Sequence, residues 1–320
     1  MFPPASPATS IVSAVLKRAT LTALACLILT PAAIARRVDR DEVDTDIPWK
    51  KSVPLTAVSP AGLPVGKLVV AARRSRNADI RKILASTPAR PGDRVERQMW
   101  DAVCLQIEKR YEDANAAFDR IPNLTKAPVI VRAKAANSYA QDNQLDKAAK
   151  LCSSILAQYE MADAYKIRAG CYAAQNKLVE AASDFDKLAD MEKESSSGLY
   201  SRSASLYLKA GKIDQAMAVL EKADKSPEAP TSSTLLMVRT DCYKFKGQWQ
   251  NAINCLNKVI KLNASGPVRK REERDFILST CYKERAKCYR KIGRNDLADA
   301  DMKTLSVLGE SVMDEIVGRH

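Results

Sequence analysis

Histidine is almost missing from this chain: the single one, His320, is the C-terminal residue. An imidazole-based catalytic triad or a zinc site of the Cys2His2 kind therefore has neither base nor ligand to draw on. No glycine-rich phosphate loop occurs, and the cysteines do not fall in the paired spacing of a zinc module. No constellation of acid, base and nucleophile stands out, so the reading is non-enzymatic, with no cofactor and no metal. Acidic residues are absent from residues 1–35. The apolar run from Ala19 through Ile34 is broken by Pro31 and is short for a membrane span of about 20 residues.

What is present at that end has the layout of a secretory signal. Lys17 and Arg18 precede the apolar run, and Ala33-Ile34-Ala35 offers a small-x-small cleavage site before Arg36. Residues 1–35 are thus expected to be a signal peptide, or an uncleaved anchor in view of Arg36 and Arg37. The chain is expected to be exported, either periplasmic or secreted. Membrane tethering follows only if the segment is retained or Cys26 is lipidated. Residues 36–65, with Pro48, Pro54, Pro60 and Pro64 among mixed charges, are expected to form a flexible linker. The formal net charge is +13, which suits an acidic partner, an anionic membrane surface, nucleic acid, or simply a solvated basic surface.

Leu68, Ala71, Ala72, Ile80, Ile83 and Leu84 predict one helix over residues 67–85, ended by Pro88 and Pro91-Gly92. Residues 66–94 are accordingly expected to be an N-terminal helix or a degenerate half-repeat. From about residue 95 the chain repeats. A recurring alanine sets the register: Ala114, Ala148, Ala181, Ala216, Ala252 and Ala298, in steps of 34, 33, 35, 36 and 46. A second small residue precedes each: Ala102, Ala136, Ala169, Ala204, Thr240 and Ala286. Then come a large residue (Leu105, Tyr139, Tyr172, Tyr207, Tyr243, Tyr289) and a turn residue (Lys109, Asn143, Asn176, Gly211, Gly247, Gly293). Gly and Asn suit the left-handed cap that ends a helix. Phe118, Cys152, Phe185, Leu220, Leu256 and Met302 follow the recurring alanine by one helical turn. Small side chains at both alanine-like columns let two antiparallel helices approach closely, and a hairpin that cannot bury its face alone must stack on neighbours.

This pattern resembles the tetratricopeptide repeat (TPR) family. The unit Tyr165, Ala169, Tyr172, Leu178, Ala181 and Phe185 fits it best. The resemblance implies an all-α fold, a right-handed superhelical solenoid of about five to six TPR helix-turn-helix hairpins over residues 95–308, with a C-terminal capping helix over residues 309–320. The first unit departs from the pattern with Lys109 in place of Gly, and the last with Asn295 in place of an apolar residue. The step of 46 implies an insertion around residues 261–275, where Gly266-Pro267 breaks the chain. The run that follows, through Tyr289, is expected to be one long helix.

Cys104, Cys171, Cys242 and Cys288 share one repeat column and read as small buried side chains. A disulfide such as Cys152 with Cys171 is the alternative. The family resemblance implies a concave groove lined by first helices. Its floor would be neutral at Lys166, Gly170, Ala173, Ser201, Ser205 and Leu208. Its far end would be basic, at Met237, Asp241, Lys244, Lys283, Lys287, Arg290 and Lys291. Residues 258–294 carry twelve basic and four acidic side chains, a net of +8. The expected function is a TPR scaffold or adaptor for protein–protein interaction, holding a protein or peptide partner by an acidic segment at this basic end. The alternative is a polyanion-binding accessory protein of the cell envelope or of nucleic acid. Asn137 sits where the carboxylate-clamp subclass has an Asn, but Ala133 stands in place of its lysine, so that subclass is not indicated.

Overall fold

The computed structural model describes residues 59, 62–90, 92–192, 196–226, 231–265 and 271–317. The signal segment, most of the linker, Gly266-Pro267 and His320 lie outside the described residues. Among the described residues there are fourteen α-helices and no strand, in accord with the all-α expectation. In chain order they are α1 Val65–Arg73, α2 Asn77–Ser86, α3 Arg94–Ile107, α4 Tyr111–Asp119, α5 Val129–Gln141, α6 Leu145–Leu156, α7 Ala162–Ala174, α8 Leu178–Met191, α9 Ser196–Lys209, α10 Ile213–Ala223, α11 Ser233–Phe245, α12 Trp249–Ser265, α13 Arg271–Lys291 and α14 Asn295–Val317. The chain divides into two compact units, Met1–Lys177 and Leu178–His320. The boundary falls between α7 and α8 in the sequence.

One turn design recurs seven times. Ser75, Lys109, Asn143, Asn176, Gly211, Gly247 and Gly293 all hold positive φ, between 50° and 75°. The N–H of the next residue donates back to the carbonyl five residues earlier, as in Arg110 to Leu105 (3.0 Å), Gln144 to Tyr139 (2.8 Å) and Arg294 to Tyr289 (2.9 Å). This is a Schellman cap. The donor's own carbonyl then accepts the N–H of the recurring alanine, as in Ala114 to Arg110 at 2.9 Å, so the second helix starts with no intervening loop.

Lys109 pays the cost of a side chain in the left-handed region at φ 63°, which is roughly 1–2 kcal/mol for an L-residue. Replacing it with Gly is expected to raise unfolding free energy by about 0.5–1 kcal/mol once the chain entropy of glycine is counted. The reverse change at Gly211 meets no atom within 4 Å of an added Cβ, so Gly211→Ala is expected to cost about 1–2 kcal/mol from conformation alone. Urea unfolding of the two variants checks both signs.

The alanine columns are buried as the packing argument requires. Ala114, Ala148, Ala181, Ala216, Ala252 and Ala298 are fully covered, and so are Ala102, Ala136, Ala169 and Ala204. Thr240 fits the same column because its hydroxyl donates to the Leu236 carbonyl at 2.8 Å, leaving no unpaired buried donor. In the first unit one continuous apolar core runs from Leu63 to Cys171, with Trp100, Phe118 and Tyr139 as its largest buried members. In the second unit, one core centres on Tyr200, Tyr207 and Leu220 and another on Ile253, Leu256 and Cys281.

Three expectations change. Residues 67–85 are two helices, because the chain reverses at Arg74-Ser75-Arg76. Folding back buries Leu68, Ala72 and Ile80 completely. Residues 66–94 therefore contain a whole hairpin, not a half-repeat, and it keeps the register, since Ile80 lies 34 residues before Ala114. At the other end α14 continues unbroken past Gly309 to Val317, so the cap expected over residues 309–320 is no separate helix over its described part. Finally, Met302 is 39% exposed although Leu220 and Leu256 of the same column are buried. The expected long helix is present as α13. The insertion lengthens α12 to 17 residues and α13 to 21, against 9–14 in the preceding helices.

Candidate functional site

Three residues on each first helix occupy equivalent places relative to the turn, ten, six and three residues before it. In the second unit these are Ser201, Ser205 and Leu208 on α9, Met237, Asp241 and Lys244 on α11, and Lys283, Lys287 and Arg290 on α13. Spacing of i, i+4 and i+7 puts each trio on one helix face. The α9 and α11 trios are half-buried, while Lys283, Lys287 and Arg290 are exposed. The α9 and α11 helices touch directly, and α11 meets α13 through the Cys281 thiol, 3.9 Å from Met237 Sδ. In the first unit the equivalent trio on α7, Lys166, Gly170 and Ala173, is half-buried as well. The chemistry of the second unit's face thus changes along it, from small and neutral on α9 to charged on α11 and α13.

The expected basic end is partly neutralised from within. Lys244 Nζ lies 3.1 Å from Asp241 and 2.6 Å from Glu284. Lys287 takes the other oxygen of Glu284 at 2.6 Å. Glu284 is the residue the sequence reading passed over. It brings Lys244, Asp241 and Lys287 into one network across α11 and α13. Burial pushes its carboxyl upward, but hydrogen bonds and charge from Lys244 and Lys287 outweigh this and hold it below the usual range. Burial likewise lowers Lys244, and its two carboxylate partners more than reverse the shift. Arg290 approaches Asp299 at 3.7 Å. Lys291 lies outside the trio, 5.9 Å over the Trp249 ring, a cation–π geometry. Lys283 and Lys287 project as exposed cations. A carboxylate ligand here would compete with Glu284 for both Lys244 and Lys287, and the exposed cations outside that network are Lys283 and Arg290.

The seven described cysteines are all buried thiols, and Cys152 and Cys171 are not joined by a disulfide. Burial pushes the thiols of Cys104 and Cys242 up to about 11, and those of Cys171 and Cys281 up to about 12. They are held protonated and inert at neutral pH, which suits their place in the packing columns. Among the described residues no group of His, Cys, Asp and Glu side chains is placed to hold a metal. No described helix is long and apolar enough to cross a membrane.

Among curated proteins no sequence matches this chain. Several solved structures share features of its backbone. YrrB, described as a TPR protein with an unusual peptide-binding site, is 16% identical over 64% of this chain and 96% of its own, with a TM-score of 0.44. BtubC from P. vanneervenii is 14% identical over 68% of this chain and 92% of its own, with a TM-score of 0.46. A tetratricopeptide repeat protein from Parabacteroides merdae is 18% identical over 78% of this chain and 96% of its own, with a TM-score of 0.38. Residues 197–229 match the sequence model of the tetratricopeptide repeat. That match spans α9 from Ser197, the Gly211 turn and α10.

Proposed function

We propose that this protein is a non-enzymatic scaffold whose second unit displays the aligned first-helix faces of α9, α11 and α13 to a partner protein or peptide. The observation that carries the reading is the repeated trio. The same three positions recur on successive helices, and on α9 and α11 they are half-buried by their neighbours yet still open to solvent. Such a face is preorganised, because the helices that hold it are fixed by buried columns behind them, and little ordering cost remains on binding. Ser201, Ser205 and Leu208 leave room for a peptide backbone, while Lys283, Lys287 and Arg290 favour an acidic segment at the α13 end. YrrB, a peptide-binding protein by its description, is in keeping with a peptide partner. The chain is proposed to work after export, its N-terminal segment removed or retained as a tether.

A pull-down from extract of the source cells tests the proposal, with wild type and a Lys283→Glu/Lys287→Glu/Arg290→Glu variant as baits at low and high salt. Far-UV circular dichroism confirms that both baits keep their helix content. The expected result is a discrete protein retained by wild type at high salt and lost by the variant. Nothing but polyanions, released at moderate salt as purely electrostatic binding requires, would replace the scaffold reading with a polyanion-binding one.

A further inference from the structure

We propose a second binding site, in the other unit: the α1–α2 hairpin holds an acidic peptide segment of a partner protein. A cavity of about 250 Å³ opens between the two helices. Lys67 and Arg74 on α1, Arg76 in the turn and Lys82 on α2 line it, against a single carboxylate, Asp79. The formal balance is +3. Val70, Ala71 and Ile83 supply its apolar surface. Positions 67, 70, 71 and 74 follow the i, i+3, i+4, i+7 spacing of one helix face, and positions 79, 82 and 83 share a face of α2. The hairpin geometry therefore gathers four cations that the sequence spreads over 16 residues.

The state of these cations separates this site from the α13 end. Lys67, Arg74 and Lys82 are exposed and have no carboxylate partner among the described residues. Arg76 has only a loose contact with Asp79, at 3.7 Å between groups 60% and 50% exposed, which is worth little in water. On α11 and α13, by contrast, Lys244 and Lys287 share Glu284 at 2.6 Å each. Lys134 of α5 adds a further positive charge beside the turn, donating to Ser75 Oγ at 3.2 Å.

The lining also selects among acidic ligands. Its apolar strip rewards a ligand with aliphatic side chains between its carboxylates. It contains no aromatic residue, whereas single-stranded nucleic acid is gripped by stacking on aromatics along a basic track. The volume lies below the roughly 300–1,000 Å³ of a drug-sized ligand pocket, so it takes a few side chains of an extended peptide. Alternation suits this, since an extended chain sends successive side chains to opposite sides.

Fluorescence anisotropy on the full chain tests the site, with a labelled Glu-Leu-Glu-Leu-Glu-Leu-Glu peptide as probe. Saturable binding is expected, weakened about tenfold by Lys67→Glu/Lys82→Glu and by a smaller factor by Lys67→Gln/Lys82→Gln. Both Lys67/Lys82 changes are also made in the Lys283→Glu/Lys287→Glu/Arg290→Glu background, where the second unit's basic end no longer holds the acidic probe and the same loss of about tenfold is expected. A peptide with Gln in place of Glu is expected to bind about tenfold more weakly. Absence of binding, equal binding by the Lys67/Lys82 variants, or tighter binding of a single-stranded DNA oligomer than of the peptide would each overturn the proposal. Circular dichroism on every variant guards against loss of fold.

Discussion

Asp301→Ala is expected to cost about 3–5 kcal/mol of local stability in the second unit, because it strands a half-buried guanidinium. Asp301 on α14 is 4% exposed. Arg285 on α13 meets it with two parallel bonds, Nε to Oδ2 at 2.9 Å and Nη2 to Oδ1 at 2.6 Å. The third arm, Nη1, reaches Asn257 Oδ1 of α12 at 2.6 Å, and the guanidinium lies over the rings of Tyr282 and Tyr289 at 5.2 and 5.7 Å. One cation thus ties three helices together. A fork-shaped bidentate pair of this kind is among the strongest polar contacts a protein makes. Its removal from one side leaves a charge that cannot be resolvated without opening α13 from α14. Hydrogen exchange read by mass spectrometry is the suitable measurement, because a chain of two units need not unfold in one step. Protection in α13 and α14 should fall by about two to three orders of magnitude or more. The double change Arg285→Met/Asp301→Leu should recover most of it, since a packed apolar pair replaces a buried ion pair with little loss. Unchanged protection in Asp301→Ala would mean that the bridge contributes nothing in solution.

That bridge also marks where the sequence stopped being readable. The hairpin turns were visible because Asn143, Asn176, Gly211, Gly247 and Gly293 are the residue types that tolerate positive φ. Ser75 adopts the same turn without being such a residue, so its hairpin passed as a single helix. Large Leu68 and Ile80 in the small-residue columns concealed it further, and only the 34-residue step from Ile80 to Ala114 betrays the register. The trios on the first helices were legible, since a fixed offset from each turn defines a face. Their electrostatics were not. Lys244 and Glu284 are forty residues apart in sequence, and Arg285 and Asp301 sixteen. A count of twelve basic and four acidic residues over 258–294 says nothing about which cations are already paired. The same blindness works in reverse at the N-terminal hairpin. There Arg73, Arg74, Arg76 and Arg81 lie close together in the sequence, and the fold shows that Lys67, Arg74 and Lys82 have no carboxylate partner among the described residues.

A repeat column shows how far periodicity can stand in for energy. Phe118, Leu220, Leu256 and Met302 occupy the same place after their recurring alanines, and sequence alone assigns them one role. Phe118 is fully buried and faces the Tyr139 ring at 6.3 Å between centroids. Phe118→Ala is therefore expected to destabilise the first unit by about 3–5 kcal/mol through lost burial and the cavity left behind. Leu256→Ala should cost about 2–5 kcal/mol in the second. Met302, 39% exposed, should cost within about 0.5 kcal/mol, as truncation of a surface side chain does. Hydrogen exchange of the three alanine variants gives the comparison, each read in the helices that flank the changed residue. A cost at Met302 equal to that at Leu256 would show that a further surface covers α14 in solution. A negligible cost leaves α14 as a solvent-facing end of its unit, held from one side by α13 and the Arg285 bridge.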